Sequence, residues 1–362
     1  MSEKNKKLQN AVHCIVFLLL AAGVFVFFTY LFRETKINQR RTVQGFLLEE
    51  KNTDDVIFLG ASSVYRFWDP LYAWKEAGIT SFDYASASMT AVCYIPAIKE
   101  IEKRQTPKLL VIDARRFLSR KTGDEEIYDK VRYYTDSLDL GISRAGMIRR
   151  FCRIYDRSLS QELEYQLDLI YYHDHYDALL NPINWEMADN RVDRDTEGLC
   201  IKGYSMSPKW SVIAEPSFDE NMEAGELSPL SEQLFREITE YCKTKSYPFM
   251  FLVTPYSCRE SDMKEYLRMA EIAQEYGIPF VNMNLYIDET GLDFSRDFYN
   301  EDHANHIGAG KVTGWLLSYL CTEYDLPDHR GDEKYASWEE DYNTYLIEAQ
   351  EATESIKSQI TE

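Results

Sequence analysis

Two short stretches carry side chains that could do covalent chemistry. Val56–Pro70 reads VIFLGASSVYRFWDP, and Asp297–Thr313 reads DFYNEDHANHIGAGKVT. In the first, an apolar run (Val56, Ile57, Phe58, Leu59) meets Gly60-Ala61-Ser62-Ser63. Such a run reads as a buried parallel strand, and the glycine permits a sharp turn at its carboxyl end. Open α/β sheets place their ligand sites at that end. A serine at a helix start there would sit among backbone N–H groups able to stabilise an oxyanion. The competing reading makes Ser62 or Ser63 a plain helix N-cap. His303, in the second stretch, precedes a glycine-containing helix start and could serve as a general base only if the fold brings it to the serine.

The elements that would position these residues follow from the hydrophobic pattern. Strands are predicted at 55–60, 80–84, 108–113, 249–254 and 279–283, with helices between them, which gives an α/β fold with a five-stranded parallel sheet flanked by helices. Asp69-Pro70 opens a helix that Gly78 stops. Further helices are expected over Ala91–Arg104, Ser231–Lys245, Met263–Tyr276 and Gly308–Tyr324. Residues 120–200 interrupt the alternation as a helical insertion, with helical spacing in Met147–Tyr155 and Leu159–Leu180. Within it, His173 and His175 would point about 200° apart on a helix, so a packing role is preferred to metal ligation. Residues 181–228 read as a long loop suited to a substrate wall or lid. The acidic segment 329–362 ends in a helix over Trp338–Ile360, able to dock through Trp338, Tyr342, Tyr345 and Leu346 or to bind a partner.

Ala11–Phe32 is 22 residues without Asp, Glu, Lys or Arg, long enough to cross a ~30 Å hydrocarbon layer as a helix. A cleaved signal would have a shorter apolar core and a small-residue cleavage site, so an uncleaved anchor is expected. Residues 1–10 form a tail before it, 33–53 a charged and partly helical linker after it, and 54–328 the α/β domain. Lys4, Lys6 and Lys7 on one side against Arg33, Lys36, Arg40 and Arg41 on the other leave the orientation undecided. The formal net charge of −20 argues against nucleic acid as a partner. Seven cysteines (14, 93, 152, 200, 242, 258 and 321) stand singly, without CxxC spacing, and read as buried free thiols rather than a zinc site or disulfide framework.

Together, GASS and DHANHIGA resemble the SGNH/GDSL hydrolase superfamily over roughly residues 54 to 345. The nearest likeness is to its membrane-anchored branch that acylates cell-envelope polymers, which includes teichoic acid D-alanylation and alginate O-acetylation proteins. The resemblance implies Ser62 as nucleophile and His303 as general base, with no cofactor and no metal. It also implies a domain on the outer side of the cell membrane, acting on an envelope polysaccharide, teichoic acid or other acylated glycan. A multipass membrane partner would deliver the acyl group. In that family an acid stands three residues before the histidine; this chain has Asn300 there, with Asp302 the alternative acid and Asp297 and Asp293 further candidates. The second oxyanion donor of the family is a glycine N–H, where this chain has Ala85 or Ser86, and Ser63 beside the nucleophile is a further oxyanion or substrate-binding candidate. The family's asparagine donor is replaced by Asp113-Ala114-Arg115-Arg116, from which Arg115 or Arg116 could hold an anionic group or merely pair at the surface. Three functions stay open: acetyl or D-alanyl transfer, ester hydrolysis, and a weak or inactive binding and assembly protein.

Overall fold

The computed structural model describes residues 3–33, 37–123, 127, 130–182, 184–185, 201–219 and 221–361. The chain forms two compact units, one of residues 1–35 and 139–195, the other of residues 36–138 and 196–362. The second unit holds a five-stranded, all-parallel sheet of β1 (Val56–Gly60), β2 (Ser81–Ala85), β3 (Leu109–Asp113), β4 (Phe249–Val253) and β5 (Phe280–Asn282), in the order β2-β1-β3-β4-β5. The direction of connection reverses between β1 and β3, which opens a crevice beyond their carboxyl ends.

Alternation along the strands divides the core. Val56, Phe58, Leu109, Val111, Met250 and Leu252 share one buried cluster with the helices Pro70–Ala77 and His306–Glu323. On the opposite face Phe251 packs on Phe235 of the helix Pro229–Lys243, and Phe235 on Phe117. Period-two side-chain direction is what lets one strand supply both layers. Each fully buried side chain of this kind contributes about 1.5–3 kcal/mol. Phe58 also stacks on Trp68, whose Nε1 donates to Ser81 Oγ at 2.9 Å. Asp69 caps the helix Pro70–Ala77 by accepting from the Leu71 and Tyr72 amides, and Gly78 closes it at φ 68°, as Asp-Pro and Gly at those places predict.

Two expectations need correction, that of the linker and that of the buried cysteines. The helical part expected within residues 33–53 is Ile37–Leu48, but it packs on the sheet instead of serving only as a linker. Its Phe46 lies between Phe82 and Tyr84 of β2, and Arg40 Nη1 donates to the Ser137 carbonyl at 2.5 Å. Its buried surface carries Gln39, Arg40, Arg41, Thr42 and Gln44 beside Val43 and Phe46. Of the two roles expected for it, the C-terminal helix, which runs Ala336–Thr361, takes the docked one: Trp338 packs on Trp74, Tyr345 is buried, and Lys202 Nζ lies 4.0 Å from the Trp338 ring centre. Leu346, expected in that contact, is exposed. Cys14 and Cys321 are exposed, while Cys93, Cys152, Cys242 and Cys258 are buried; Cys200 lies outside the described residues.

The first unit joins the helix Glu3–Phe32 to helices at Ile142–Ile154, Leu159–Gln166 and Asp168–Tyr171 and a 3-10 turn at Tyr176–Leu180. The helix predicted over Leu159–Leu180 is therefore broken twice. His173 lies within the second break, its Nδ1 bonded to the Ile170 carbonyl at 2.9 Å. Asn5–Phe32 is long and apolar enough to span a membrane.

Candidate active site

The β1 turn is built around two constraints. Gly60 has no room for a side chain: a Cβ there would lie 2.5 Å from Asp113 Cβ and 2.6 Å from Val64 Cγ2. Ala61 is extended (φ −110°, ψ −156°), and Ser62 opens the short helix Ser62–Tyr65. Ser63 Oγ donates to Asp113 Oδ2 at the end of β3, and the Ala61 amide reaches the same oxygen at 3.4 Å. Asp113 Oδ1 accepts the Arg115 amide at 2.9 Å. Asp113 thus ties the ends of β1 and β3 together. Ser63, predicted to bind substrate, instead turns its hydroxyl inward on this tie, while its carbonyl accepts from Thr254 Oγ1 at 2.9 Å.

His303 is carried by a hairpin of β6 (Phe298–Asn300) and β7 (His303–Ala304). Phe298 anchors the hairpin through contacts with Phe294 and Phe67. Asn305 then caps the helix His306–Glu323, accepting from the Gly308 amide at 3.1 Å and donating to the Arg296 carbonyl at 2.7 Å. Gly308 is required by close approach, since a Cβ would lie 2.1 Å from the Asp297 carbonyl oxygen.

These two supports bring His303 Nε2 to 2.6 Å from Ser62 Oγ and place Nδ1 2.9 Å from Asn300 Oδ1. Asn300 Oδ1 also accepts the Asp302 amide at 3.0 Å. A backbone N–H can face only the amide oxygen, so this bond settles which way the Asn300 side chain points. The oxygen then takes the proton of His303 Nδ1–H, leaving the Nε2 lone pair for the Ser62 hydroxyl. The serine, the histidine and the residue three before it form one relay.

Asp302 is not in that relay. Its carboxylate pairs with Arg115 Nη2 at 2.8 Å and its carbonyl accepts from Nη1 at 3.1 Å, so neither the alternative acid nor the anion-binding Arg115 has the expected place. Arg115 lies 3.9 Å over the Tyr256 ring and clamps the His303 loop. Arg116 is likewise spent on the Met89 and Ser88 carbonyls, at 3.1 and 3.3 Å. Asp297 accepts from Lys311 Nζ at 2.6 Å and Asp293 from Ser295, and neither bonds to His303. At β2, the Ser86 amide donates to the Gly60 carbonyl at 3.2 Å and is not free for an oxyanion; the buried Ser86 hydroxyl has no protein partner among the described residues. Ala85 is buried in the core cluster.

The surroundings of His303 disfavour its protonated form. Burial, then the positive charges of Arg115, Arg66 and Lys121, push its pKa down to about 3 against the opposing pull of Asp302. Burial would raise Asp302, but Arg115 and His303 hold it below the ordinary carboxylate range. Tyr299 and Arg66 went unnoticed in the sequence. The Tyr299 ring stacks on His303 (5.6 Å between centres, 11°) with the Arg66 guanidinium 5.6 Å from its centre. Arg66 Nη1 donates to the Ser205 and Met206 carbonyls at 2.7 and 3.0 Å. Part of the 181–228 segment is thereby pinned beside the site by backbone bonds, including Ser205 N–H to Tyr65 and Ser211 N–H to Phe298. Arg66 stands four residues past Ser62, a spacing that hints at a shared helix face, whereas Tyr299 is brought in only by the hairpin.

His306 packs away from the relay, with Nδ1 3.1 Å from the Tyr204 hydroxyl, and burial lowers its pKa to about 4. Tyr345 of the C-terminal helix donates to Asp69 Oδ2 at 2.5 Å in the same buried group. Among the described residues no set of His, Cys, Asp or Glu is grouped to hold a metal ion. A groove of about 650 Å³ lined by Tyr72, Lys311, Trp315 and Tyr319 includes neither Ser62 nor His303. No family model, curated protein or solved structure matches the chain.

Proposed function

We propose that the chain is a membrane-anchored, SGNH-like serine acyltransferase or esterase acting on a cell-envelope polysaccharide or teichoic acid, with its α/β unit outside the membrane. The observation that carries the reading is the 2.6 Å contact between Ser62 Oγ and His303 Nε2, residues 241 positions apart. In the first half-reaction Ser62 Oγ attacks the acyl carbonyl and its proton passes to His303 Nε2. Collapse of the tetrahedral intermediate breaks the bond to the leaving group, which takes that proton, and leaves an acyl-Ser62 ester. A polymer hydroxyl, or water in the hydrolytic case, then gives its proton to Nε2 and attacks the ester, and the proton returns to Ser62. The amides that open a helix lack intrahelical acceptors, so the Ser62 and Ser63 amides are the oxyanion candidates, the Val64 amide being taken by the Ala61 carbonyl at 2.9 Å. The Ser86 hydroxyl is a second candidate.

The positive charges of Arg66 and Lys121, which act on His303 alongside the Asp302-paired Arg115, would suit an acceptor that carries phosphate or carboxylate. An acyl donor used outside the membrane has to be supplied across it, which is the reason for proposing a multipass partner. The second reading, a binding and assembly protein with little or no turnover, is favoured by the neutral Asn300 at Nδ1 and by the disfavoured imidazolium.

Fluorophosphonate labelling of the full-length protein tests the proposal. Wild type should label at one serine, and Ser62→Ala and His303→Ala should each abolish labelling. A folded wild type that does not label would leave the binding reading in its place.

A further inference from the structure

We infer that the 3-10 turn Tyr176–Leu180 and Trp185 form a membrane-seated collar fused to the exit end of the N-terminal span. Tyr176, Leu179, Leu180 and Trp185 would enter the boundary between acyl chains and headgroups. This rests on the reading of Asn5–Phe32 as a bilayer span.

Most of the span is bare, but its last turns are built into the protein. Trp185 packs on Phe27 (5.7 Å between ring centres) and Tyr176 on Phe32 (6.5 Å). Asn184 Nδ2 donates to the Leu31 carbonyl at 3.0 Å, and Tyr30 accepts the Leu140 amide at 3.0 Å. Thr29, Leu31 and Arg33 are buried, whereas Leu18, Leu19 and Leu20 are exposed. Arg33, the first charge after the apolar run, is matched within the protein by Asp168 at 3.0 and 2.5 Å. The other oxygen of Asp168 takes Arg144 at 2.6 Å.

The depth follows from helix geometry. A hydrocarbon layer of ~30 Å takes about 20 helical residues, so the uncharged run ending at Phe32 fills it. Phe27 is five residues before that end, or about 7.5 Å along the axis at 1.5 Å per residue. A ring touching Phe27 therefore lies at or just inside the layer's edge. Leu180, 88% exposed, together with Leu179, Tyr176 and Trp185, presents apolar surface at this level. Such a set is costly in water and suited to a lipid boundary, where Trp and Tyr concentrate. The segment is far too short to cross the bilayer, so it lies at the surface and continues the lipid-facing surface of the span.

Lipid quenching of Trp185 tests the collar in the full-length protein. Of the six tryptophans, only Trp185 belongs to this unit, and it is half exposed, so Trp185→Phe leaves the packing largely intact. The protein is placed in phosphatidylcholine nanodiscs with bromines either near the headgroup end of the acyl chains or near the bilayer centre. The emission difference between wild type and Trp185→Phe isolates Trp185. The expected result is loss of that emission with shallow bromines and a smaller loss with deep ones. Trp185 emission untouched by either lipid but quenched by aqueous acrylamide would overturn the collar, as would emission protected from both quenchers. Failure of the protein to elute with the nanodiscs would instead overturn the span on which the collar rests.

Discussion

Replacing Asn300 by Asp asks how much one missing charge limits the relay. The substitution keeps an oxygen 2.9 Å from His303 Nδ1 and still accepts the Asp302 amide, while giving the imidazolium a counter-charge. Two unit charges about 4 Å apart interact by about 4 kcal/mol at an effective dielectric of about 20. Residue 300 is exposed, and measured exposed pairs keep only about 0.2–1 kcal/mol. With the imidazole more enclosed than its partner and Asp302 adding like-charge repulsion, a net of about 1.4 kcal/mol is a reasonable middle value, equal to one pKa unit or a tenfold rate. The loss of about 10⁴ when a triad aspartate becomes asparagine bounds the gain from above. Labelling of Asn300→Asp by a fluorophosphonate, followed as a second-order rate at pH 7, should therefore run about tenfold faster than wild type. The acid limb of the rate should move up from near pH 3. An unchanged or slower rate in a folded variant, with the acid limb unmoved, would refute the idea that residue 300 governs the imidazolium.

Ser63→Ala should keep the labelled nucleophile but lower stability by about 1–3 kcal/mol, because it leaves a buried Asp113 oxygen short of a partner; chemical denaturation with the label as readout separates the two effects. Arg115→Gln removes the largest positive charge acting on His303, so the acid limb of labelling should shift upward even as the loop loosens, which a pH–rate profile would show. Gly60→Ala forces a Cβ onto Asp113 and Val64, and overpacking of this kind costs about 1–3 kcal/mol, visible as a lower denaturation midpoint. Both His303 and His306 have folded pKa values below the ordinary 6.5. The unfolded chain therefore takes up protons that the fold refuses, and these two sites remove stability as pH falls from about 6.5 toward 4. His306→Gln should flatten that decline in melts recorded across this range.

The sequence alone determined the five sheet strands and their order along the chain. Runs such as VIFLG and KLLVID are too apolar and too short for anything but buried parallel strands, and Asp69-Pro70 with Gly78 brackets a helix by local chemistry alone. The 22-residue apolar run of residues 11–32 specifies its length against a bilayer without reference to the rest of the chain. What tertiary structure decided was which polar side chain faces which. Ser62 and Ser63 are adjacent and chemically identical, yet one meets His303 and the other Asp113, because successive residues at a helix start diverge by about 100°. Arg115 and Asp302 looked like an anion-binding residue and an alternative acid until the hairpin placed them against each other. The helix Ile37–Leu48 packs on the sheet, where the sequence suggested only a linker, because its contacts with Ser137, Phe82 and Tyr84 come from distant segments. Local pattern encodes the backbone's choices, but the use of each charge depends on contacts that exist only once the sheet and hairpin have closed.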